Sequence, residues 1–170
     1  MDSNNKLKTL DDFKKLLSTQ RLEICVVGIG RIGLPTALSF ADSGLNIIGV
    51  DINSNLVNMI NSGEFPLKDE PGYNEIFDSV IKNKKFYATT KIEEVLAKIN
   101  VIILSLPTPM NNDNIPDYSA LKSVGNQLHD MMQPGTFVIV ESTVEPTFVE
   151  NDLIPIIEGN DKLLIVDKNF

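Results

Sequence analysis

Ile24-Cys25-Val26-Val27-Gly28-Ile29-Gly30-Arg31-Ile32-Gly33-Leu34-Pro35 decides the fold of this chain. An apolar run enters G-x-G-x-x-G, and a helical pattern leaves it. A second apolar run, Asn46-Ile47-Ile48-Gly49-Val50, ends in Asp51. A glycine motif alone says little. One that leaves a strand, opens a helix and is followed by an acid about 20 residues on is the dinucleotide-binding fingerprint. Gly28 allows the tight turn, Gly30 lets the backbone approach a pyrophosphate, and Gly33 lets the helix pack closely on the strand. The helix start then offers free N–H groups and its positive dipole end to phosphates. Asp51 can accept both hydroxyls of an adenosine ribose and would repel a 2′-phosphate, so NAD is the expected cofactor rather than NADP.

The surrounding composition narrows the class. At 170 residues the chain can bury a full core, and one domain is expected. No segment approaches the ~18 apolar residues of a membrane span. Residues 1–6 are polar and lack an apolar signal core. The single cysteine, Cys25, rules out an intrachain disulfide and argues against a thiolate metal site. These features point to the cytoplasm and to no bound metal. A formal net charge of −8 and a pI near 4.6 argue against a nucleic-acid surface. The one histidine, His129, lies among helix-like residues and reads as a solvated helix position rather than a general base.

Outward from the glycine turn, strand-like and helix-like segments alternate. Residues 7–20 carry Leu7, Leu10, Phe13, Leu16 and Leu17 at near-helical spacing, an amphipathic helix ahead of the first strand. It is set apart as an N-terminal extension, 1–20, before a dinucleotide-binding domain over 21–170. Strands are expected at Glu23–Val27, Asn46–Val50, 86–88, 101–106, Phe137–Val140 and 163–166. Helices are expected at 32–43, 53–62, 73–83, 91–98, 118–132 and 148–157, the last interrupted by Pro155. The run 101–106, bounded by Pro107, suits a central strand buried on both faces. Six or seven strands separated by helices make a Rossmann-like α/β fold, a doubly wound parallel sheet.

Four clusters fall at strand ends, where ligands bind in this architecture. The first is Gly28–Gly33 with Asp51. The second is Ser105-Leu106-Pro107-Thr108-Pro109, either a rigid strand exit or a hydroxyl, Thr108, aimed across the nicotinamide side. The third is Glu141-Ser142-Thr143, whose hydroxyls can bond a ligand carboxamide or cap the next helix, the latter needing no ligand. The fourth is Glu150, which by spacing alone reads as a solvated helix residue.

In this order the clusters resemble the N-terminal half of the UDP-glucose/GDP-mannose dehydrogenase family, the nucleotide-sugar 6-dehydrogenases. The matching residues are Gly28 through Ala37, Gly49-Val50-Asp51-Ile52-Asn53, and Gly63 through Glu70-Pro71-Gly72. Ala88-Thr89-Thr90, Leu106-Pro107-Thr108-Pro109, Asp117-Tyr118-Ser119 and Glu141-Ser142-Thr143-Val144 follow. Such a series in register is far more specific than one glycine motif. Gly33-Leu34-Pro35-Thr36-Ala37 with Leu106-Pro107-Thr108-Pro109 is similar to the UDP-N-acetylmannosamine dehydrogenase branch.

The resemblance implies oxidation of the C6 alcohol of a UDP-sugar to a carboxylate in two NAD-dependent steps, with a cysteine trapping the aldehyde and a thioester hydrolysed. It implies that Gly28, Ile29, Gly30, Arg31, Ile32 and Asp51 hold the adenosine diphosphate part. Thr90 and Thr108 would line the nicotinamide ribose and reaction water, and Ser142 and Thr143 the nicotinamide. Glu150 would act as a base or orient water. Three departures stand out. Arg31 replaces the family's usual aromatic residue. Glu145-Pro146-Thr147 replaces a Pro-Gly turn. The chain stops at Phe170, whereas family members are more than twice as long.

The catalytic lysine, asparagine and cysteine, the dimer-forming helix and the sugar domain would lie in the part not present. Cys25, inside a strand, is not the nucleophile. Alone, this chain is expected to bind NAD without complete turnover and to be a monomer or weak dimer, the whole enzyme being a homodimer. A free-standing NAD-binding or sensing module is the alternative, with residues 7–20 as its contact surface. A methyltransferase-like domain is a third reading, disfavoured by the Leu-Pro-Thr-Pro and Glu-Ser-Thr clusters.

Overall fold

The computed structural model describes Leu7, residues 9–160 and residues 164–168. In chain order the elements are α1 (Leu10–Ser18), β1 (Glu23–Val27), α2 (Gly33–Asp42), β2 (Asn46–Val50), α3 (Ser54–Asn61), α4 (Tyr73–Lys82) and β3 (Phe86–Thr89). A 3₁₀ turn (Ile92–Glu94), β4 (Val101–Leu104), α5 (Ser119–Met131), β5 (Phe137–Val140), a π-helical turn (Val149–Leu153) and α6 (Ile154–Glu158) follow. The strands form one sheet in the order β3-β2-β1-β4-β5, every pair parallel. From β1 the chain builds first toward β3 and then crosses back to β4. The strand order therefore reverses between β1 and β4, which opens a crevice at their carboxyl ends.

β1 is central, so its side chains alternate between two buried cores. Ile24 and Val26 join the layer of α1, α2, α3 and α4, while Cys25 and Val27 join that of α5 and α6. Polar side chains fix the ends of several elements. Thr9 and Asp12 form a reciprocal capping box at α1: the Asp12 N–H donates to Thr9 Oγ1 at 3.1 Å, and the Thr9 N–H to Asp12 Oδ2 at 3.0 Å. Asn53 caps α3 by accepting from the N–H groups of Asn55 and Leu56. Asn100, 3% exposed at the foot of β4, accepts the Glu23 N–H at 3.0 Å through its side chain, and its carbonyl accepts the Phe137 N–H at 2.8 Å. One asparagine thus ties β1 and β5 to β4. No helix among the described residues is long and apolar enough to cross a membrane.

Several elements depart from the sequence expectations. The described residues give five strands, not six or seven. Of the expected strand 163–166, Leu163 lies outside the described residues, and Leu164 to Val166 form a bend and turn. β4 ends at Leu104, although the Ser105 N–H still donates to Val27 O at 2.8 Å, because two prolines then turn the chain away. The expected helix 91–98 is a single 3₁₀ turn, with Ile92, Val95, Leu96 and Ile99 buried as an irregular apolar plug. Residues 148–157 form a π turn and then α6, whose start accommodates Pro155 at a position that needs no N–H donor. His129 is half-buried rather than freely solvated: its Nδ1 lies 3.0 Å from Ile157 O and its ring packs over Gly159. Residues 1–6, read as a polar start, lie outside the described residues.

Cys25 is fully buried, and burial pushes its thiol from an ordinary 9.0 up to about 12. A raised folded-state value means that the neutral thiol costs nothing below pH 9. Above it the unfolded chain ionises and the folded one does not, so stability falls as pH rises from 9 toward 12. The expected result is a Cys25 that iodoacetamide reaches only through unfolding. Alkylation of the native chain at the rate of a free thiol would contradict this burial.

Candidate functional site

The crevice is a cleft of about 740 Å³ whose lining includes Gly28, Asp51, Thr90, Thr108, Ser142 and Thr143. Its adenosine side is built by the glycine turn. Gly28 has φ +88°, and its N–H donates to Val50 O at 2.8 Å, joining β1 to β2 at the cleft floor. A Cβ there would stand 2.5 Å from Ser105 O, so both conformation and space demand glycine. A Cβ on Gly33 would fall on the Gly28 carbonyl oxygen, which is how closely α2 sits on the turn. By contrast, Gly30 has nothing within 4 Å of where a Cβ would be; the room beside it is open cleft.

Asp51 is held in place from two sides. Its Oδ2 accepts the Ile29 N–H at 3.1 Å and its Oδ1 the Asn53 N–H at 2.9 Å. The carboxylate therefore bridges the glycine turn and the start of α3. Nothing caps the start of α2 with a side chain, and its first turn carries no acid. In its first turn the Leu34 N–H already goes to Gly30 O at 3.0 Å and Pro35 has no N–H, so what this helix offers a diphosphate is chiefly its positive dipole end. An uncapped helix start, an empty place at Gly30 and an anchored carboxylate one strand away fit a dinucleotide.

On the other side, hydroxyls join the exits of β4 and β5. Ser142 Oγ accepts the Leu106 N–H at 2.9 Å, with Leu106 O at 2.9 Å and Leu104 O at 3.2 Å within reach of its own proton. Thr108 Oγ1 donates to Thr143 O at 2.9 Å. The hydroxyls fix two loops against each other at the cleft wall, as a rigid strand exit requires, and neither Ser142 nor Thr143 caps the next helical turn, whose start at Phe148 has no side-chain cap. Thr36 of α2 donates to Glu141 Oε1 at 2.7 Å, closing the wall toward the glycine turn. Arg31 stands at the rim, 72% exposed, with Asp69 at 3.8 Å and Glu70 at 3.9 Å. Its charge is shared with two acids, and exposed pairs of this kind add ~1 kcal/mol or less.

The structure gathers Gly28, Gly30, Arg31, Ile32, Asp51, Thr90, Thr108, Ser142 and Thr143 around one cleft. Ile29 is fully buried and contributes its backbone N–H to Asp51. Gly33 is buried beneath the turn. Glu150 is exposed on the π turn and is not among the residues lining the cleft. Sequence reasoning missed the contribution of α5, which lines the cleft with Ser123 and Gln127, one turn apart. Their signal was a pair of polar residues at i and i+4 just after a proline-rich strand exit. It also missed Ile52, 98% exposed beside Asp51 in the cleft wall. Among the described residues, no three His, Cys, Asp or Glu side chains gather to hold a metal ion.

The altered turn after Thr143 keeps a left-handed backbone without glycine: Thr147 has φ +72°. A β-branched residue in that region costs about 1–2 kcal/mol. Thr147→Gly is expected to stabilise the chain by about 1 kcal/mol, part of the relief being offset by the freer unfolded chain. A urea midpoint that does not rise would show the turn to be unstrained.

A family model described as "UDP-glucose/GDP-mannose dehydrogenase family, NAD binding domain" matches residues 22–169. The chain is similar to the UDP-N-acetyl-D-mannosamine dehydrogenase of Campylobacter jejuni: 37% identical over 122 residues, covering 71% of this chain and 29% of that protein. Among solved structures it is similar to the UDP-D-ManNAc dehydrogenase of Pyrococcus horikoshii, with TM-score 0.79 and 35% identity over 88% of this chain and 34% of that one. The NDP-N-acetyl-D-galactosaminuronic acid dehydrogenase of Methanosarcina mazei Go1 gives TM-score 0.79 and 31% identity, over 92% and 35%. The chain spans 29% of the Campylobacter relative and 34–35% of these two structures.

Proposed function

The chain belongs to the UDP-glucose/GDP-mannose dehydrogenase family as an NAD-binding domain, and from that premise we propose that it is the cofactor-holding part of an enzyme oxidising the C6 alcohol of a UDP-sugar to a carboxylate. The names of relatives from several organisms support UDP-N-acetyl-D-mannosamine as the sugar nucleotide. The observation that carries the reading is Asp51, anchored by Ile29 and Asn53 and facing the same cleft as Thr108 and Thr143. NAD supplies the hydride acceptor when bound.

The backbone from Gly28 to Gly33 holds the diphosphate, and Asp51 holds the adenosine ribose. Arg31 exchanges its acidic partners for phosphate. Thr90 and Thr108 line the nicotinamide ribose, and Ser142 and Thr143 fix the wall behind the ring. Thr108 keeps water in place for the reaction. Glu150 serves as base only if a substrate-bound arrangement brings the π turn over the cleft. Sugar recognition and a homodimer contact belong to the portion of the relatives that this chain does not span. α1 is an extension ahead of the domain, supported by a family match that begins at residue 22. The cytoplasm is the proposed compartment, consistent with one free, buried thiol.

Calorimetric titration of the chain with NAD, NADP and UDP-N-acetylmannosamine tests this. Heat from NAD that exceeds that from NADP, and none from the sugar nucleotide, is the expected pattern. No dinucleotide heat at millimolar ligand would overturn the cofactor-holding role of this chain.

A further inference from the structure

Asp117-Tyr118-Ser119 matches a family motif, yet no role above uses Tyr118. Its surroundings give it one. Tyr118, Lys122, Gly125 and His129 are spaced by four, three and four residues, a single stripe along α5 and the residue before it. Each meets the next part of the segment that returns from β5. Tyr118 Oη accepts the Glu145 N–H at 2.9 Å, and its ring lies 4.1 Å from the Phe148 ring, centroid to centroid. Lys122 Nζ reaches Asp152 at 2.6 Å and stands 5.8 Å from the Phe148 centroid. Gly125 leaves room for Leu153 and Ile156, each of which would lie 3.0 Å from a Cβ there. His129 closes the series at Ile157 O. The stripe sets the register of residues 145–157 against α5.

Its first contact lies just beyond the cleft wall. Ser142 is fixed to Leu106 and the Thr143 carbonyl to Thr108; two residues later the Glu145 N–H is fixed to Tyr118. That third bond comes from the helical layer rather than from the neighbouring strand exit. It holds the wall at the residue before Pro146 and Thr147, where the sequence lacks the glycine of related turns. We infer that Tyr118 is a positioning residue for the nicotinamide side of the cleft, acting through the Glu145 N–H on Ser142 and Thr143. The inference rests on the reading that this cleft takes NAD.

Tyr118→Phe removes the hydroxyl and keeps the ring on Phe148, so the fold is retained. Binding of NAD is compared with binding of ADP-ribose, which lacks the nicotinamide. Loss of one hydrogen bond that orders the wall is expected to weaken NAD about fivefold. ADP-ribose affinity should stay unchanged, and the Glu145 amide should lose its protection from hydrogen exchange. A general loosening would lower both affinities together, and that result overturns the inference. So does an unchanged NAD affinity, or a Glu145 amide that stays protected in the variant. A wild-type chain that binds ADP-ribose and NAD equally, with no change in Tyr118→Phe, overturns the inference alone. One that binds neither overturns the NAD reading and the inference with it.

Discussion

Asp51→Ala is expected to weaken NAD binding about a hundredfold and to abolish the preference over NADP. The carboxylate offers a charged acceptor to two ribose hydroxyls, and hydrogen bonds to charged groups are each worth about 1.5–3 kcal/mol. A loss of about 3 kcal/mol in total corresponds to that hundredfold. The side chain also supports the backbone around it, because it receives the N–H groups of Ile29 and Asn53. Alanine leaves both donors without this partner, the Ile29 N–H in a buried position, and loosens the turn that lines the diphosphate. Asp51→Asn separates the two contributions. It keeps a side-chain oxygen for one of the backbone donors and removes the negative charge that repels a 2′-phosphate. NADP should therefore bind Asp51→Asn better than it binds wild type, while NAD binds worse. Calorimetry on the three proteins decides it, and NAD affinity in Asp51→Ala within about threefold of wild type would sink the assignment.

Gly33→Ala should be the most destructive single methyl in the molecule, costing more than about 3 kcal/mol of stability. The added carbon would overlap the Gly28 carbonyl oxygen and stand 3.0 Å from Ser105 Cβ. The first of these is backbone, so no rotamer change relieves the clash. α2 must lift off the turn, and with it go the contacts of Leu34, Ala37, Leu38 and Ala41, all buried. Gly30→Ala is the informative contrast. Its methyl meets nothing within 4 Å, so the urea midpoint should hold while the methyl occupies the open side of the turn and displaces the diphosphate. Two glycines of one motif then separate: one is required by the fold and the other by the ligand. A Gly33→Ala chain as stable as wild type would contradict the packing described for the turn.

What the sequence disclosed and what it hid have physical reasons. β1, β2 and β5 match their expected limits because each is a short apolar run closed by a turn signal, the Gly28 turn, Asp51 and Glu141 among them. NAD binding and the family were legible for a related reason: Gly28, Gly33 and Asp51 do jobs dictated by local backbone geometry. The roles of Ser142 and Thr108 were not legible, because their partners lie 35 or more residues away across two strand exits. Lining of the cleft by Ser123 and Gln127 depends on how α5 rotates over the sheet, which apolar spacing fixes only for the opposite face. The π turn was hidden because five residues are too few for hydrophobic periodicity to separate a wide helical turn from an ordinary one. The segment 91–98 shows the same limit: its apolar residues are buried, but only one 3₁₀ turn connects them.

The placement of β1 between β2 and β4 also orders events on the ribosome. Its first neighbour follows within one helix, but its second, Val101–Leu104, follows only after β2, α3, α4 and β3 have been made. At about 5–20 residues per second, the β4-facing side of the Ile24–Val27 backbone waits roughly 4–15 s for its partner. During that interval the nascent chain can assemble β3-β2-β1 under its own helices but presents an unpaired, wholly apolar strand edge. Ser105, against whose carbonyl the Gly28 turn is packed, arrives later still. The glycine turn is among the first parts of the domain to be synthesised, and its cleft is completed only when the second half of the sheet docks. A stalled or shortened message ending before residue 101 yields a half-sheet that holds the motif but not the site, and such a product is a natural client for chaperones.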